Sequence, residues 1–166
     1  ISALFIVPSS MLATVSALSA QNLGAGKEKR ATDTLRYATV ITTIYGMIVA
    51  VLIQFIAENV VGIFTSDTTV VTMGSAYIRS YIWDCIFAGI HFSFSGYFAA
   101  CGKSYIGFLH NIISITFVRV PGSYLASKYF TDTLYPMGLA APAGSLVSVA
   151  ICVTAFILLK RKSRVA

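Results

Sequence analysis

Charged side chains are scarce in this sequence, and acidic ones are the scarcest. Only 11% of the 166 residues are charged, and six of these are Asp or Glu, whereas a soluble domain carries about a quarter of charged residues. The stretches 1–26, 37–57 and 133–159 contain no Asp, Glu, Lys, Arg or His. So few charges do not cover a soluble surface, and the composition therefore excludes a soluble globular domain.

Motifs for catalysis and for cofactor binding are also missing. GAGKEKR lacks the spacing of a Walker phosphate loop. Cys85, Cys101 and Cys152 are isolated, and His91 and His110 lie about 20 residues apart without metal-ligand spacing. We therefore predict no catalytic residue, no metal site and no organic cofactor. An intramembrane enzyme would require facing catalytic residues, and the sequence shows none.

Long apolar runs are what the sequence does contain. They predict five transmembrane helices at approximately 3–24, 37–57, 79–100, 105–127 and 138–159. Each has about the 20 residues needed to cross the hydrocarbon core of a bilayer. The absence of two-residue alternation favours helices over the strands of a membrane barrel. The predicted fold is an all-α, polytopic membrane protein in contact with the lipid bilayer.

The distribution of Lys and Arg predicts the orientation of these helices. If every span crosses the membrane, nine basic residues fall on one side. They are Lys27, Lys29, Arg30, Arg36, Lys103 and the four basic residues of the KRKSR tail after Leu159. Arg79 and Lys128 lie near the other side. The positive-inside rule therefore places the C-terminus in the cytoplasm. The net charge of +6 flanks apolar helices, so we expect no nucleic-acid partner. Since the chain opens inside an apolar run, we also expect further chain upstream.

The first apolar run ends in the polar stretch QNLGAGKEKR. We expect Gly24 and Gly26 to end the helix in a left-handed turn, because glycine adopts positive φ without a steric penalty. Gln21 and Asn22 are either interfacial or hydrogen-bonded inside the bundle near this helix end, and we favour the second interpretation.

Two charged residues lie deep within predicted spans. Asp84, in YIWDCIF, is the only acidic residue well inside a span, and Arg119, in FVRVPGSYL, is the only such arginine. Buried charges in membranes tend to be paired or functional, and an arginine can hold a carboxylate through two hydrogen bonds. We predict an Asp84–Arg119 ion pair, in which Asp84 either binds a coupling ion or joins the helices structurally.

Several stretches, in order, resemble the multidrug and toxic compound extrusion (MATE) family. The first is SALSAQNLGAGKEKRA, with its Gln-x-x-Gly-Ala-Gly pattern. FTSDTTVVTMGSAYIRSY, CGKS, VRVPGSYL and LYPMGLAAPAGSLVS follow. The resemblance covers nearly the whole chain. It implies that residues 1–166 form most of the second six-helix lobe of a twelve-helix transporter, with the N-terminal lobe absent from this chain.

The resemblance also implies a function. It is that of a secondary antiporter in a bacterial cytoplasmic membrane, exporting cationic or amphipathic small molecules in exchange for protons or sodium ions. Asp84 is then the candidate ion-coupling residue. Phe87, Phe94 and Tyr97 are candidates for an aromatic substrate pathway, since rings bind organic cations through their faces. The alternatives are a lipid-linked saccharide flippase of related architecture and a structural fragment that transports nothing.

Overall fold

The structure is a computed structural model that describes residues 2–165 and the side chains of residues 2–161. Within that range, every regular element is helical. A 3₁₀ turn at Ser2–Phe5 leads into α1 (Ile6–Gly24), α2 (Glu28–Gly62), α3 (Thr68–Tyr81), α4 (Asp84–Ala100), α5 (Ser104–Ser114), a π-helical segment (Ile115–Arg119), α6 (Val120–Tyr129) and α7 (Tyr135–Val165). The predicted all-α fold is confirmed.

These elements form five rods, one for each predicted span. Ile82 and Trp83, between α3 and α4, keep helical backbone angles, so residues 68–100 form one rod. Residues 104–129 form another, in which the π-helical segment joins α5 to α6. Each rod extends past its predicted span; for example, α2 covers 28–62 instead of 37–57. The reason is that a helix satisfies its own backbone hydrogen bonds in water as well as in lipid.

Three helical stretches of the described chain are long and apolar enough to cross a membrane: Ser2–Gly24, Glu28–Gly62 and Tyr135–Arg161. The other two rods are interrupted, which shortens each piece. Large apolar side chains face outward; Phe55 is 79% exposed and Phe117 is 72% exposed. An exposed apolar surface of this extent is typical of contact with lipid or with another part of a membrane protein.

Helix α4 lies at the centre and packs against α1 and α2 on one side and α5 and α7 on the other. Glycine permits one of these close approaches. A Cβ added to Gly46 of α2 would lie 2.8 Å from the Cα of Ile86 in α4. Two apolar clusters, one around Phe98 and one around Ile82, lie towards opposite ends of α4.

The two ends of the bundle differ in charge. At one, called the basic end here, Lys29, Lys103 and Lys160 line a cleft of about 260 Å³. The opposite, acidic end carries Asp67 in the α2–α3 connection and Asp132 in the α6–α7 connection. The side chains of Lys162 and Arg164, which belong to the predicted cytoplasmic tail, lie outside the described residues.

Candidate functional site: a buried ion pair and its polar network

Asp84 is the first residue of α4, and its side chain is buried, with only 2% exposure. The helix is tighter around Asp84, because the Cys85 N–H donates to the carbonyl of Ile82, three residues back instead of four, at 2.9 Å. The junction of α3 and α4 therefore places the buried Asp84 carboxylate where the helical hydrogen-bond pattern changes.

Arg119 is the last residue of the π-helical segment. Pro121 lies two residues further along the chain, and proline has no N–H to donate to a carbonyl one turn back. The Val120 N–H instead donates to the carbonyl of Ile115, five residues back. Such π-helical turns are frequent at functional sites. The side chain of Arg119 is 29% exposed, and its Nη2 lies 3.4 Å from both carboxylate oxygens of Asp84.

Helix α7 completes the arrangement with a glycine and a serine. Arg119 Nη2 donates a short hydrogen bond of 2.6 Å to Ser145 Oγ. The neighbouring Gly144 leaves space for the arginine, since a Cβ there would lie 2.5 Å from Arg119 Cγ and 2.9 Å from Nε. Three rods thus meet at Asp84, Arg119 and Ser145. The structure brings the predicted pair into contact, while the role of Asp84 in ion coupling stays a prediction.

The network continues from Ser145 to two histidines that the sequence analysis did not join. Ser145 Oγ lies 3.3 Å from His91 Nε2, and the rings of His91 and His110 are 5.4 Å apart in an edge-to-face arrangement. His110 Nε2 lies 2.8 Å from Ser95 Oγ. His91 is 4% exposed and His110 is 1% exposed. Buried polar side chains therefore extend across the bundle from Asp84 to α5, and the two histidine rings are in contact without a hydrogen bond between them.

A sequence signal for this network exists. Asp84, His91 and Ser95 are spaced at i, i+7 and i+11, so they share one face of α4. His110 and Ser114 lie four residues apart on α5, and Ser145 and Ser148 lie three apart on α7. The polar faces of three helices meet in the described structure.

A cleft adjoins the histidines. It measures about 240 Å³ and lies between α1, α4 and α5, starting near Ser104 at the basic end. Its polar lining consists of His91, Ser95, Ser104, His110 and Asn111. In the described residues, no group of three or more His, Cys, Asp or Glu is placed to hold a metal ion.

The QNLGAGKEKR stretch differs from the expectation. Gly26 has a positive φ of 70°, as predicted, but Gly24 does not; it is the last residue of α1. The expected hydrogen bonds of the amides inside the bundle are also wrong. Asn22 Nδ2 donates to the carbonyl of Leu18 in its own helix at 2.7 Å, and Gln21 is exposed. The turn is closed by the Lys27 N–H, which donates to the carbonyl of Asn22 at 2.8 Å.

The three aromatic candidates occupy different environments. Phe94 and Tyr97 are buried at 9% and 8% exposure and pack edge-to-face on Phe156 of α7. Phe87 is half-buried. Phe94 and Phe156 also line an apolar groove of about 340 Å³ beside α2. Tyr97 lines the cleft at the basic end.

Comparison with known proteins agrees with the motifs. The MatE family model matches residues 1–125. The chain is also 28% identical over 151 residues to Protein DETOXIFICATION 14 of Arabidopsis thaliana. That alignment covers 90% of this chain but 31% of the plant protein, so the chain spans less than a third of that relative. No solved structure matches the chain. With five helical rods and the family match over most of its length, the chain belongs to the MatE family of multi-pass membrane proteins.

Proposed function

We propose that this chain is most of the second lobe of a secondary antiporter. The antiporter exports cationic or amphipathic small molecules in exchange for protons or sodium ions. The observation that carries the proposal is the pair of the buried Asp84 and the partly exposed Arg119, which lies where two interrupted rods meet α7. Ionisable groups at this depth mark ion pathways in transporters. Membership of the MatE family supports the same function.

The geometry of the pair suits exchange of a coupling ion. The distance from Arg119 Nη2 to the carboxylate is 3.4 Å, longer than the roughly 2.7–2.9 Å of a tight charge-assisted hydrogen bond. A proton or Na⁺ that binds Asp84 neutralises the carboxylate and removes the attraction that holds Arg119. Arg119 then keeps only its bond to Ser145. Binding of one ion therefore removes the contact between Arg119 and α4 and leaves the contact with α7.

The interrupted helices couple this exchange to movement. Asp84 follows the junction of α3 and α4, and Arg119 ends the π-helical segment, so both charges lie where the helical hydrogen-bond ladder is irregular. Interrupted helices near the binding site are a recurrent feature of secondary transporters that alternate access. The movement we propose is a shift of these two rods against α7 when Asp84 is neutralised.

Organic cations are the substrates we propose, with aromatic side chains as their contacts. Phe94 lines the groove beside α2 together with Leu35 and Val40, and the polar residues of its lining are Thr32, Arg36 and Thr39. Tyr97 provides a ring at the basic end, and Phe87 provides one nearer the ion pair. In the whole protein, the N-terminal lobe would supply the opposite wall of the substrate pathway.

We propose that the basic end faces the cytoplasm, because nine of the twelve Lys and Arg residues of the sequence flank that side of the bundle. The acidic end, with Asp67 and Asp132, then faces outward. The location we propose is a bacterial cytoplasmic membrane, and the Lys and Arg asymmetry of the connections supports the orientation of the chain in it.

The experiment is gradient-driven efflux of ethidium, an organic cation, from proteoliposomes that contain the full-length transporter. Asp84→Asn should abolish efflux driven by a proton or sodium gradient while the folded protein is retained. Asp132→Asn is the matched control, because Asp132 is an exposed carboxylate at the acidic end. Normal efflux by folded Asp84→Asn would show that Asp84 does not couple transport to an ion.

A further inference from the structure

We propose that the basic end of the bundle binds one anionic glycerophospholipid, whose phosphate lies in the cleft lined by Lys29, Lys103 and Lys160 and whose acyl chain lies in the apolar groove beside α2. The inference goes beyond the proposed function, because it concerns a lipid that stays bound to the protein and not a molecule that is exported. It starts from the charge of one recess and the apolar wall of its neighbour.

The cleft collects positive charge from three parts of the chain. Lys29 lies in the first turn of α2, Lys103 in the connection between α4 and α5, and Lys160 near the end of α7. Glu28 also lines the cleft, so the lining contains one carboxylate against three ammonium groups. In the described part of the chain, the ion pairs lie elsewhere in the bundle, and none of these lysines takes part in one. The cleft is therefore suited to an anion that these residues do not themselves supply.

The apolar groove begins where the cleft ends. Thr32 of α2 and Phe156 of α7 line both recesses. Beyond them, the apolar lining of the groove consists of Leu35, Val40 and Phe94. Lys160 Nζ lies 5.2 Å from the centroid of the Phe156 ring, within the range at which a cation is attracted to an aromatic face. Phe156 thus contacts a charge of the cleft and also forms part of the groove wall, and an amphipathic anion fits such a junction.

The depths of the two recesses match the layers of a bilayer. With α2 along the bilayer normal, Leu35 lies about 9 Å and Val40 about 16 Å beyond Lys29, at 1.5 Å per residue. The headgroup layer on each side of a bilayer is about 5–8 Å thick. When the phosphate lies at the level of Lys29, both groove residues are therefore at the level of the acyl chains. Arg36 also lines the groove, and a side chain of this length reaches back to the headgroup layer.

A lipid fits both recesses, whereas the other candidates fit one. A soluble phosphate has no part that occupies the groove, and the lysines repel the organic cations that we propose as substrates. Basic pockets between membrane helices bind phosphate-bearing lipid headgroups, and the groove accommodates the attached chain. Phe94 is also a proposed contact of the organic cation, so lipid binding is measured without substrate. The full-length transporter is used, because the N-terminal lobe is the other candidate to cover the groove.

The headgroup site is tested by native mass spectrometry of the purified full-length transporter in detergent, which measures the affinity of the first bound dioleoyl phosphatidylglycerol. Lys29→Gln, Lys103→Gln and Lys160→Gln should each weaken this binding about fivefold, the contribution of one basic residue near an anionic lipid. Combined, they should weaken it about 100-fold, because separated sites act additively. Lys128→Gln is the matched control, since Lys128 is an exposed lysine in the last turn of α6 at the other end of the bundle. It should leave the affinity unchanged.

The position of the acyl chain is tested by Val40→Trp. The larger side chain fills the groove, and forcing atoms into an occupied site should weaken phosphatidylglycerol binding about tenfold. Val51→Trp is the matched control, because both valines belong to α2 and are similarly exposed, at 49% for Val40 and 52% for Val51. Val51 does not line the groove, so its substitution should not change the affinity.

Two further ligands separate the lipid from its parts. Dioleoyl phosphatidylcholine has the same chains but no net charge, and it should bind more weakly than phosphatidylglycerol. Glycerol phosphate has the phosphate but no chains, and it should not displace phosphatidylglycerol at an equal concentration. Together these ligands distinguish a lipid site from a general apolar surface and from a site for soluble anions.

Four outcomes overturn the lipid site. Wild-type affinity in the triple lysine variant, or an equal loss in Lys128→Gln, would show that the cleft does not bind the headgroup. Equal affinity for phosphatidylcholine would show that the charge is not recognised. Displacement by glycerol phosphate would make the cleft a site for soluble anions. Wild-type affinity in Val40→Trp would show that the acyl chain does not occupy the groove. Efflux is not measured in any of these experiments, so their failure leaves the proposed function unchanged.

Discussion

The Gly144→Ala substitution tests whether the Asp84–Arg119 contact requires a glycine, which has no Cβ, at position 144. The added Cβ would lie 2.5 Å from Arg119 Cγ, whereas carbon atoms in contact are about 3.5–4.0 Å apart. The arginine must therefore move by about 1 Å or more. Since its Nη2 is already 3.4 Å from the carboxylate, a shift away from Asp84 breaks the hydrogen bonds.

The expected cost has two parts. Forcing a methyl group into a packed site costs about 1–3 kcal/mol. Leaving a buried charge without its partner costs about 3–5 kcal/mol, and Asp84 is only 2% exposed. We therefore expect Gly144→Ala to lower the free energy of unfolding by about 4–8 kcal/mol, both parts together, if the pair breaks.

The assay is thermal and denaturant unfolding of the purified full-length transporter in detergent. Gly24→Ala is the matched control, because no atom lies within 4 Å of a Cβ at Gly24 and alanine is the better helix former. In an Asp84→Asn, Arg119→Gln background, Gly144→Ala should cost only the packing part, about 1–3 kcal/mol. If Gly144→Ala unfolds like Gly24→Ala, the close contact of Arg119 with residue 144 is refuted.

Three further predictions concern the ends of the bundle. Gly26→Ala should cost about 1–2 kcal/mol, because its φ of 70° is left-handed; thermal unfolding measures this, and no loss would contradict the strain. Glu58→Gln should lower the free energy of unfolding by less than about 1 kcal/mol, since the 3.1 Å contact of Glu58 with Arg79 is exposed. A larger loss that added salt does not reduce would contradict this. In a background without native cysteines, an impermeant thiol reagent outside intact cells should label Asp132→Cys but not Lys29→Cys, and the reverse pattern would invert the orientation.

The number of rods and their helical type follow from the long apolar runs of the sequence. Each apolar run became one rod because a continuous helix is the simplest way to satisfy backbone groups in lipid. The first and last residues of the rods did not follow from the apolar runs. Charged residues such as Glu28 and Arg30 end an apolar run without ending the helix, so α2 begins well before residue 37.

The ion pair was predictable because both charges interrupt apolar runs, where an unpaired charge is costly. The left-handed position was predictable only to within two residues. In Gly24-Ala25-Gly26, either glycine is compatible with positive φ, and the hydrogen bond from the Lys27 N–H to Asn22 places it at Gly26.

The histidine pair shows what a single sequence does not reveal. The same-face spacing of Asp84, His91 and Ser95 on α4 was present in the sequence. The register of α5 against α4, which places His110 beside His91, depends on tertiary packing. One contact in that packing is at Gly107, whose Cβ position lies 3.4 Å from Ser95 Cβ. Helix registry of this kind has no local sequence signature.

The most direct test of the account is proton release when substrate binds. Ethidium is added to the purified full-length transporter in weakly buffered solution, and a pH-sensitive dye reports the protons released. If Asp84 exchanges its ion for substrate, the wild-type protein releases protons, or Na⁺ reported by a sodium-sensitive dye in the same measurement, and Asp84→Asn releases neither at the same bound ethidium. Equal release by Asp84→Asn would contradict the assignment of Asp84 as the group that exchanges its ion for substrate.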